Sequence, residues 1–401
     1  MSEVAQPSVS RRAVFLVGGY ERNEAAGFFR RIGREMDRFR KCWSVDATLG
    51  TPVEAFKGAA TTASVDYHGP DGTCRSDITF LSFDDIVKHD GARPFVVRLG
   101  AYLLAFFDYV FSGTMFRFFA TNWRFALYFL YPFVMLVFFA WLGTIAYRLT
   151  SALPLPGGPL LPALVGAFVA YVVGRFIGQR YFVFHLMDLW SFSREHLHCR
   201  RPEMDARIDV WASLIGEQTS AADYDEVLLV GHSTGGALIL DVAHQVAERL
   251  VAEGRPVNFK LVTVGSTSLK VALHPAAKRA RERLESLAGY PGIRWTEFQA
   301  LTDIINFYKC DPYSRAGLTH QRGDQFPRQF QVRIRDMLER DAYKRVKKNF
   351  FRVHYQFISA NSRRYFYDFF MICCGTRPIE AVRGDTLPLA VEAGKTAEAV
   401  S

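Results

Sequence analysis

Cysteine is scarce and scattered. The six in 401 residues are Cys42, Cys74, Cys199, Cys310, Cys373 and Cys374, and their spacing excludes the framework of a small disulfide-stapled domain. They read as reduced thiols of a cytoplasm-facing domain, with Cys373 and Cys374 semi-buried. No Cys/His spacing matches a zinc site, so no metal is expected; His196, His198 and Cys199 lack a second ligand group and read as a helix surface. A secretory leader is not expected at the start of this sequence. Residues 1–12 are polar, and the apolar run 13–17 stops at Gly18-Gly19, too short for an h-region and without a cleavage site after it. Acidic residues are outnumbered, 40 against 49 Lys and Arg, for a formal net charge of +9. The excess does not form a recognisable nucleic-acid motif. It gathers beside apolar stretches (Arg117, Arg124, Arg175, Arg180, Arg200, Arg201) and at Lys344, Arg345, Lys347 and Lys348, which makes a lipid bilayer the expected partner and nucleic acid an unexpected one.

Charge is most conspicuously missing between Arg124 and Arg175, where Arg148 is the one charged residue. Two apolar stretches result, about 125–147 and 160–177. The first has the length at which a helix crosses a hydrocarbon core, and the second is shorter and includes Arg175, which can snorkel from a helix end. Pro154, Pro156 and Pro159 with Gly157 and Gly158 break helix between them. A transmembrane hairpin is therefore predicted inside an apolar insertion of residues 94–190. Its outer flanks carry Arg98, Arg117, Arg124, Arg180, Arg194, Arg200 and Arg201 against Arg148 in the connection, which puts both ends in the cytoplasm. Residues 99–119 are rich in Phe, Leu and Tyr but hold Asp108, and are expected in the interface or packed on the domain.

Without the insertion, β-branched runs alternate with amphipathic ones, the pattern of a mostly parallel sheet covered by helices. Strands are predicted at 13–17, 78–83, 226–230, 259–264, 293–298 and 350–353. Helices are predicted at 21–42, 204–215, 235–251 and 275–287, with an aromatic helix ending near Met371. Residues 44–75 give no clear period. Residues 1–12 are expected to be disordered, 13–93 and 191–375 to form one domain split by the insertion, and the polar stretch 376–401 to be a flexible tail.

The sequence Gly231-His232-Ser233-Thr234-Gly235 follows the apolar run Val227-Leu228-Leu229-Val230 and precedes Gly236-Ala237-Leu238-Ile239. Gly-x-Ser-x-Gly is common, but here it closes a strand and opens a helix, the context a nucleophile elbow requires. At this point the chain resembles the α/β-hydrolase superfamily, especially its lipase and esterase branch. The resemblance implies an α/β-hydrolase-like fold with Ser233 as nucleophile and Gly231, His232 and Gly235 shaping the elbow. It also implies an oxyanion hole built from the backbone N–H of Thr234 and that of Gly19 or Tyr20, in the glycine turn after the first strand.

A serine needs a histidine to take its proton, and that histidine needs a carboxylate. The order the resemblance implies is Ser, acid, His. Asp303 stands past the strand 293–298 and is the expected acid, with Asp311 as the alternative. His274 precedes both and breaks the order. His354 is preferred as base over His320 because it follows the predicted strand 350–353. The expected activity is cleavage of an ester of a lipid or other apolar acyl compound through an acyl-enzyme, with no metal or organic cofactor. Acyl transfer by the same triad, or a silent hydrolase fold acting as a membrane scaffold, are the alternatives. The two leading antiparallel strands of that family have no obvious counterpart here, and the insertion precedes the nucleophile strand.

Overall fold

The computed structural model describes residues 8–56, 58–154, 158–319, 322 and 326–389. They fall into two compact units, one of residues 1–86, 202–272 and 278–401, the other of residues 87–201 and 273–277.

The first unit is a mixed α/β structure on a nine-stranded sheet flanked by helices. Its strands are β1 (Arg11–Val17), β2 (Asp46–Leu49), β3 (Val53–Ala55), β4 (Ala60–Gly69), β5 (Gly72–Leu81), β6 (Glu226–His232), β7 (Lys260–Val264), β8 (Arg294–Ala300) and β9 (Arg328–Val332). The order is β2-β4-β5-β1-β6-β7-β8-β9, with β3 also paired to β4. From β5 to β9 all pairings are parallel, while β4 runs antiparallel to β5, and β2 and β3 antiparallel to β4. β1 lies between β5 and β6, and after its first residue it is fully buried. This is why its sequence is a continuous apolar run rather than an alternating one. The chain leaves β1 toward β5 and later returns on its other side as β6, so the ends of β1 and β6 border a topological switch point, where open α/β sheets place ligands.

The strand region 44–75 that showed no period contains β2, β3, β4 and the start of β5. In β4 buried and partly buried residues alternate along most of its length, as in a sheet with one face covered. Two expectations about the termini are corrected. Residues 8–12 are ordered: the Ser10 N–H and hydroxyl donate to Asp225 at 2.7 Å. Residues 376–389 are also ordered, because a buried ion pair ties them to the sheet. Arg12 Nε meets Glu226 Oε2 at 2.7 Å, Arg12 Nη2 donates to the Arg377 carbonyl at 2.8 Å, and the Ile379 N–H donates to Glu226 Oε1 at 2.8 Å. A polar composition concealed this, since two buried charges satisfy main-chain groups of the tail. Residues 390–401 of the expected tail lie outside the described residues.

A third correction concerns 350–353, which is not a strand but the start of a short helix, Phe350–Tyr355, capped by Asn349 Oδ1 accepting the Arg352 N–H at 3.1 Å. The aromatic stretch beyond it is broken: a 3-10 turn at Gln356–Ile358 is followed by α-helix at Phe369–Cys374.

The second unit is helical. Trp123–Ser151 and Leu160–Arg180, with mean hydropathy of 2.1 and 2.0, are long and apolar enough to cross a membrane. They pack closely at Gly143 and Gly166, where a Cβ on either glycine would sit 2.7 Å from the carbonyl oxygen of the other, the close approach that small residues allow between apolar helices. Helices Phe95–Phe111 and Val183–Leu197 are joined by polar contacts: Arg98 pairs with Asp188 at 2.7 Å, and the Tyr102 hydroxyl donates to Asp188 at 2.8 Å. Asp108, which set this stretch apart from the spanning helices, is held by Arg194 Nε at 2.8 Å and His198 Nε2 at 2.7 Å.

Candidate active site

The turn after β6 is strained. Ser233 has φ of +59°, a left-handed conformation unusual outside glycine and seen where a side chain must be presented at a tight turn. The turn is fixed from both sides. The Ser233 N–H donates to the Val264 carbonyl at 3.3 Å, while the Ser233 carbonyl accepts from Gly236 N–H at 3.0 Å and Thr267 N–H at 3.1 Å. Helix Gly235–Ala252 begins directly after it.

Asp303 lies just past β8 and is 1% exposed. Its Oδ1 accepts the Ile305 N–H at 2.9 Å, and its Oδ2 lies 2.7 Å from His354 Nδ1. Asn306 braces the loop, its side chain donating to the Ala300 carbonyl at 2.9 Å and accepting the Ala300 N–H at 3.1 Å. A carboxylate facing Nδ1 holds the proton there and leaves the lone pair on Nε2, the form a base requires. Among the described residues, the buried His354 Nε2 has no hydrogen-bond partner. The loop after β7 touches both members of the site: Val264 bonds the Ser233 N–H, and a Cβ on Gly265 would be 3.1 Å from His354 Cε1.

Asp311 is elsewhere, accepting the Tyr313 N–H at 2.8 Å as the cap of a short helix. His320 lies outside the described residues. His232 is fully buried with its ring 4.6 Å from that of His354, and its Nε2 donates to the His354 carbonyl at 3.2 Å. Burial holds its pKa well below the usual value, so it is a neutral spacer under the His354 backbone.

Gly19 adjoins Ser233. A Cβ there would lie 3.3 Å from Ser233 Cβ and 3.5 Å from its Oγ, so the Gly19 backbone packs directly against the serine side chain. The N–H groups of Gly19 and Thr234 donate to no other group among the described residues, as expected of donors kept for a developing oxyanion. Tyr20, the alternative to Gly19, is buried.

Three residues of the site region escaped sequence reasoning. Glu21 and Arg31 line a cleft beside Gly19, His232 and Tyr355. Lys270 is buried and its Nζ donates to Thr234 Oγ1 at 2.9 Å. It is the lone charge in the run 265–273, the one signal that could have singled it out. Burial lowers its pKa to about 7. The unfolded chain keeps this proton up to its ordinary value and the folded chain releases it near 7, so folding sheds a proton across that window and stability rises with pH through it. Lys270→Met is therefore expected to stabilise the protein at pH 6 by on the order of 2 kcal/mol and to do so less at pH 9, as read by denaturant unfolding at the two pH values.

In the helical unit, Asp108, His198 and His274 bring ligand-type atoms within 4.8 Å of one another. Their chemistry is that of an ion-pair cluster. The Ala276 N–H donates to His274 Nδ1 at 3.1 Å, which assigns the imidazole proton to Nε2, the atom facing Asp108 at 3.5 Å. Arg194 already holds Asp108 Oδ2. A protonated nitrogen and an arginine-paired carboxylate make a poor cation site.

Comparison of the chain with family models, with curated proteins and with solved structures found no match.

Proposed function

We propose that the chain is a membrane-anchored serine hydrolase of the α/β-hydrolase type that cleaves an ester of a lipid or other apolar acyl compound. The observation that carries this reading is the strained Ser233 at the end of a central parallel strand, linked through the loop after β7 to a buried histidine whose Nδ1 faces a buried carboxylate and whose Nε2 is unoccupied. Ser233 Oγ attacks the ester carbonyl as His354 Nε2 takes its proton, and Asp303 stabilises the imidazolium. The oxyanion forms against the N–H groups of Thr234 and Gly19. His354 then returns the proton to the departing alcohol, and water, activated by the same nitrogen, releases the acid and frees Ser233.

The apolar helices favour a lipid substrate, because anchoring in a bilayer raises the local concentration of acyl chains at the site. The basic flanks put the hydrolase domain on the cytoplasmic side.

The test is labelling of the full chain in detergent with a fluorophosphonate probe, which reacts only with an activated serine. Wild type is expected to label stoichiometrically, Ser233→Ala not at all and His354→Ala at a rate lowered at least a hundredfold. A folded wild type that stays unlabelled in both detergent and liposomes would favour the scaffold alternative. Analysis of products with and without an added alcohol separates hydrolysis from acyl transfer.

A further inference from the structure

The segment after β7 grips the turn that carries Ser233 at three points. The Thr267 N–H donates to the Ser233 carbonyl at 3.1 Å, and Lys270 Nζ donates to Thr234 Oγ1 at 2.9 Å. Gly236 packs so closely on Ser266 that a Cβ there would strike its Oγ. The first and third are neutral contacts of the kind that fix any tight turn. The second brings a charge. Lys270 is 2% exposed, and the hydrogen bond to Thr234 is the one its ammonium makes among the described residues.

The surroundings give this charge no counter-ion. Helix Leu269–Ala272, which carries Lys270, packs against helices Lys278–Gly289 and Pro312–Arg315. On these, Arg279 and Arg283 pair with Asp205 and Asp241, and Arg281 donates to the Ala272 carbonyl at 3.0 Å. Tyr313 is buried and carries no charge, and the remaining charged residues of the two helices are exposed. On the side of the turn stands His232, which is neutral. Burial is the one cause that lowers the Lys270 pKa, so no carboxylate stands close enough to hold the proton. An uncompensated buried charge costs stability, and a protein accepts such a cost where its activity needs the group.

Resting on the hydrolase reading, we propose that Lys270 is a positioning residue of the oxyanion hole, whose ammonium, held by Thr234 Oγ1, fixes Thr234 and sets a positive charge behind its N–H. A threonine Oγ1 lies about 3 Å from its own amide nitrogen, which puts Nζ within roughly 6 Å of the donor. The ester oxygen becomes negative only in the transition state, so the charge lowers the barrier without tightening the binding of substrate. At that range, in a site shielded from water, one charge changes the rate by about tenfold. With the Lys270 pKa at about 7, the ammonium is present at pH 6 and gone at pH 9, where the neutral amine still reaches the Thr234 hydroxyl. The gain in rate is therefore held below 7 and fades above it.

The test compares wild type, Lys270→Met and Lys270→Gln, each as the full chain in detergent, by the octanoate released from 4-nitrophenyl octanoate at pH 6 and pH 9. The ratio of wild type to variant at each pH cancels every pH effect the proteins share. At pH 6 both variants should show kcat about tenfold below wild type with KM changed less than about twofold. At pH 9 the gap should close to about threefold or less, and further for Lys270→Gln, which keeps a donor for Thr234 without the charge. Unfolding midpoints and probe labelling show which variants fold, and either variant suffices for the comparison. A ratio that is the same at both pH values, whatever its size, makes Lys270 a packing residue and overturns this inference alone, as does a change in KM in place of kcat. A wild type that neither labels nor turns over the ester overturns the hydrolase reading and this inference with it.

Discussion

Replacing Asp303 by Asn is expected to lower kcat by about 10⁴-fold on any ester the protein cleaves, while Asp311→Asn leaves it within about twofold. The two aspartates differ by eight positions but occupy opposite situations. Asp303 Oδ2 sits 2.7 Å from His354 Nδ1 with both side chains nearly free of solvent. An amide at 303 has two ways to meet Nδ1. Its oxygen can accept as the carboxylate does, or its NH₂ can donate and push the imidazole proton to Nε2, where the lone pair is needed. The second leaves no lone pair on Nε2, and even the first removes the charge that stabilises the imidazolium. Asp311 instead caps a short helix through its Oδ1, a task asparagine performs about as well. Steady-state kinetics on a chromogenic ester, with unfolding midpoints to show that both variants fold, reads the difference. Equal losses in the two variants, or no loss at 303, would remove Asp303 from the mechanism and leave its hydrogen bond to His354 a structural one.

The elbow was legible in the sequence because its constraints are local. A strand must end, a strained residue must follow, and a helix must begin, all within a few positions that small residues mark. Pairing Asp303 with His354 is a contact across 51 residues; the sequence contributed only an order and a place after a strand, and for His354 that place was misread. Phe350-Phe351-Arg352-Val353 has strand composition, but a short apolar run has no period of its own, and the Asn349 cap decided it as helix. The hairpin of β4 and β5 was missed although Gly69-Pro70-Asp71-Gly72 is a turn signal, because the strands alternate Thr, Ser and Asp with their apolar residues and so lack the continuous runs of the central sheet. Glu21 and Arg31 were illegible in principle, and Lys270 left only the mark of a lone charge in an uncharged run. A charged residue announces a surface, and only tertiary packing reveals that it has been drawn inside.

Gly235→Ala is expected to cost about 3 kcal/mol or more of stability and to abolish probe labelling in whatever fraction still folds. The added methyl would lie 2.1 Å from the Val17 carbonyl oxygen and 2.5 Å from that of Gly18, and both are backbone, which cannot rotate away as a side chain can. Nor can β1 withdraw cheaply, since β5 pairs with it on one side and β6 on the other through Val17. The relief available is to part the end of β1 from the start of helix Gly235–Ala252, against the close packing of the sheet. That movement acts on the proposed oxyanion hole directly, because Gly19 rides on the β1 side of the gap and Thr234 on the other. Gly216, inside helix Pro202–Ala221, supplies the control: a Cβ there meets nothing within 4 Å, so Gly216→Ala should stabilise by about 0.5–1 kcal/mol through helix propensity and leave labelling intact. Chemical denaturation of the four proteins, wild type, G235A, G216A and the double variant, tests whether the two effects add, as they should for sites that share no partner. If Gly235→Ala folded and labelled normally, β1 and the elbow would have to be separable, and an oxyanion hole formed between Gly19 and Thr234 could not be right.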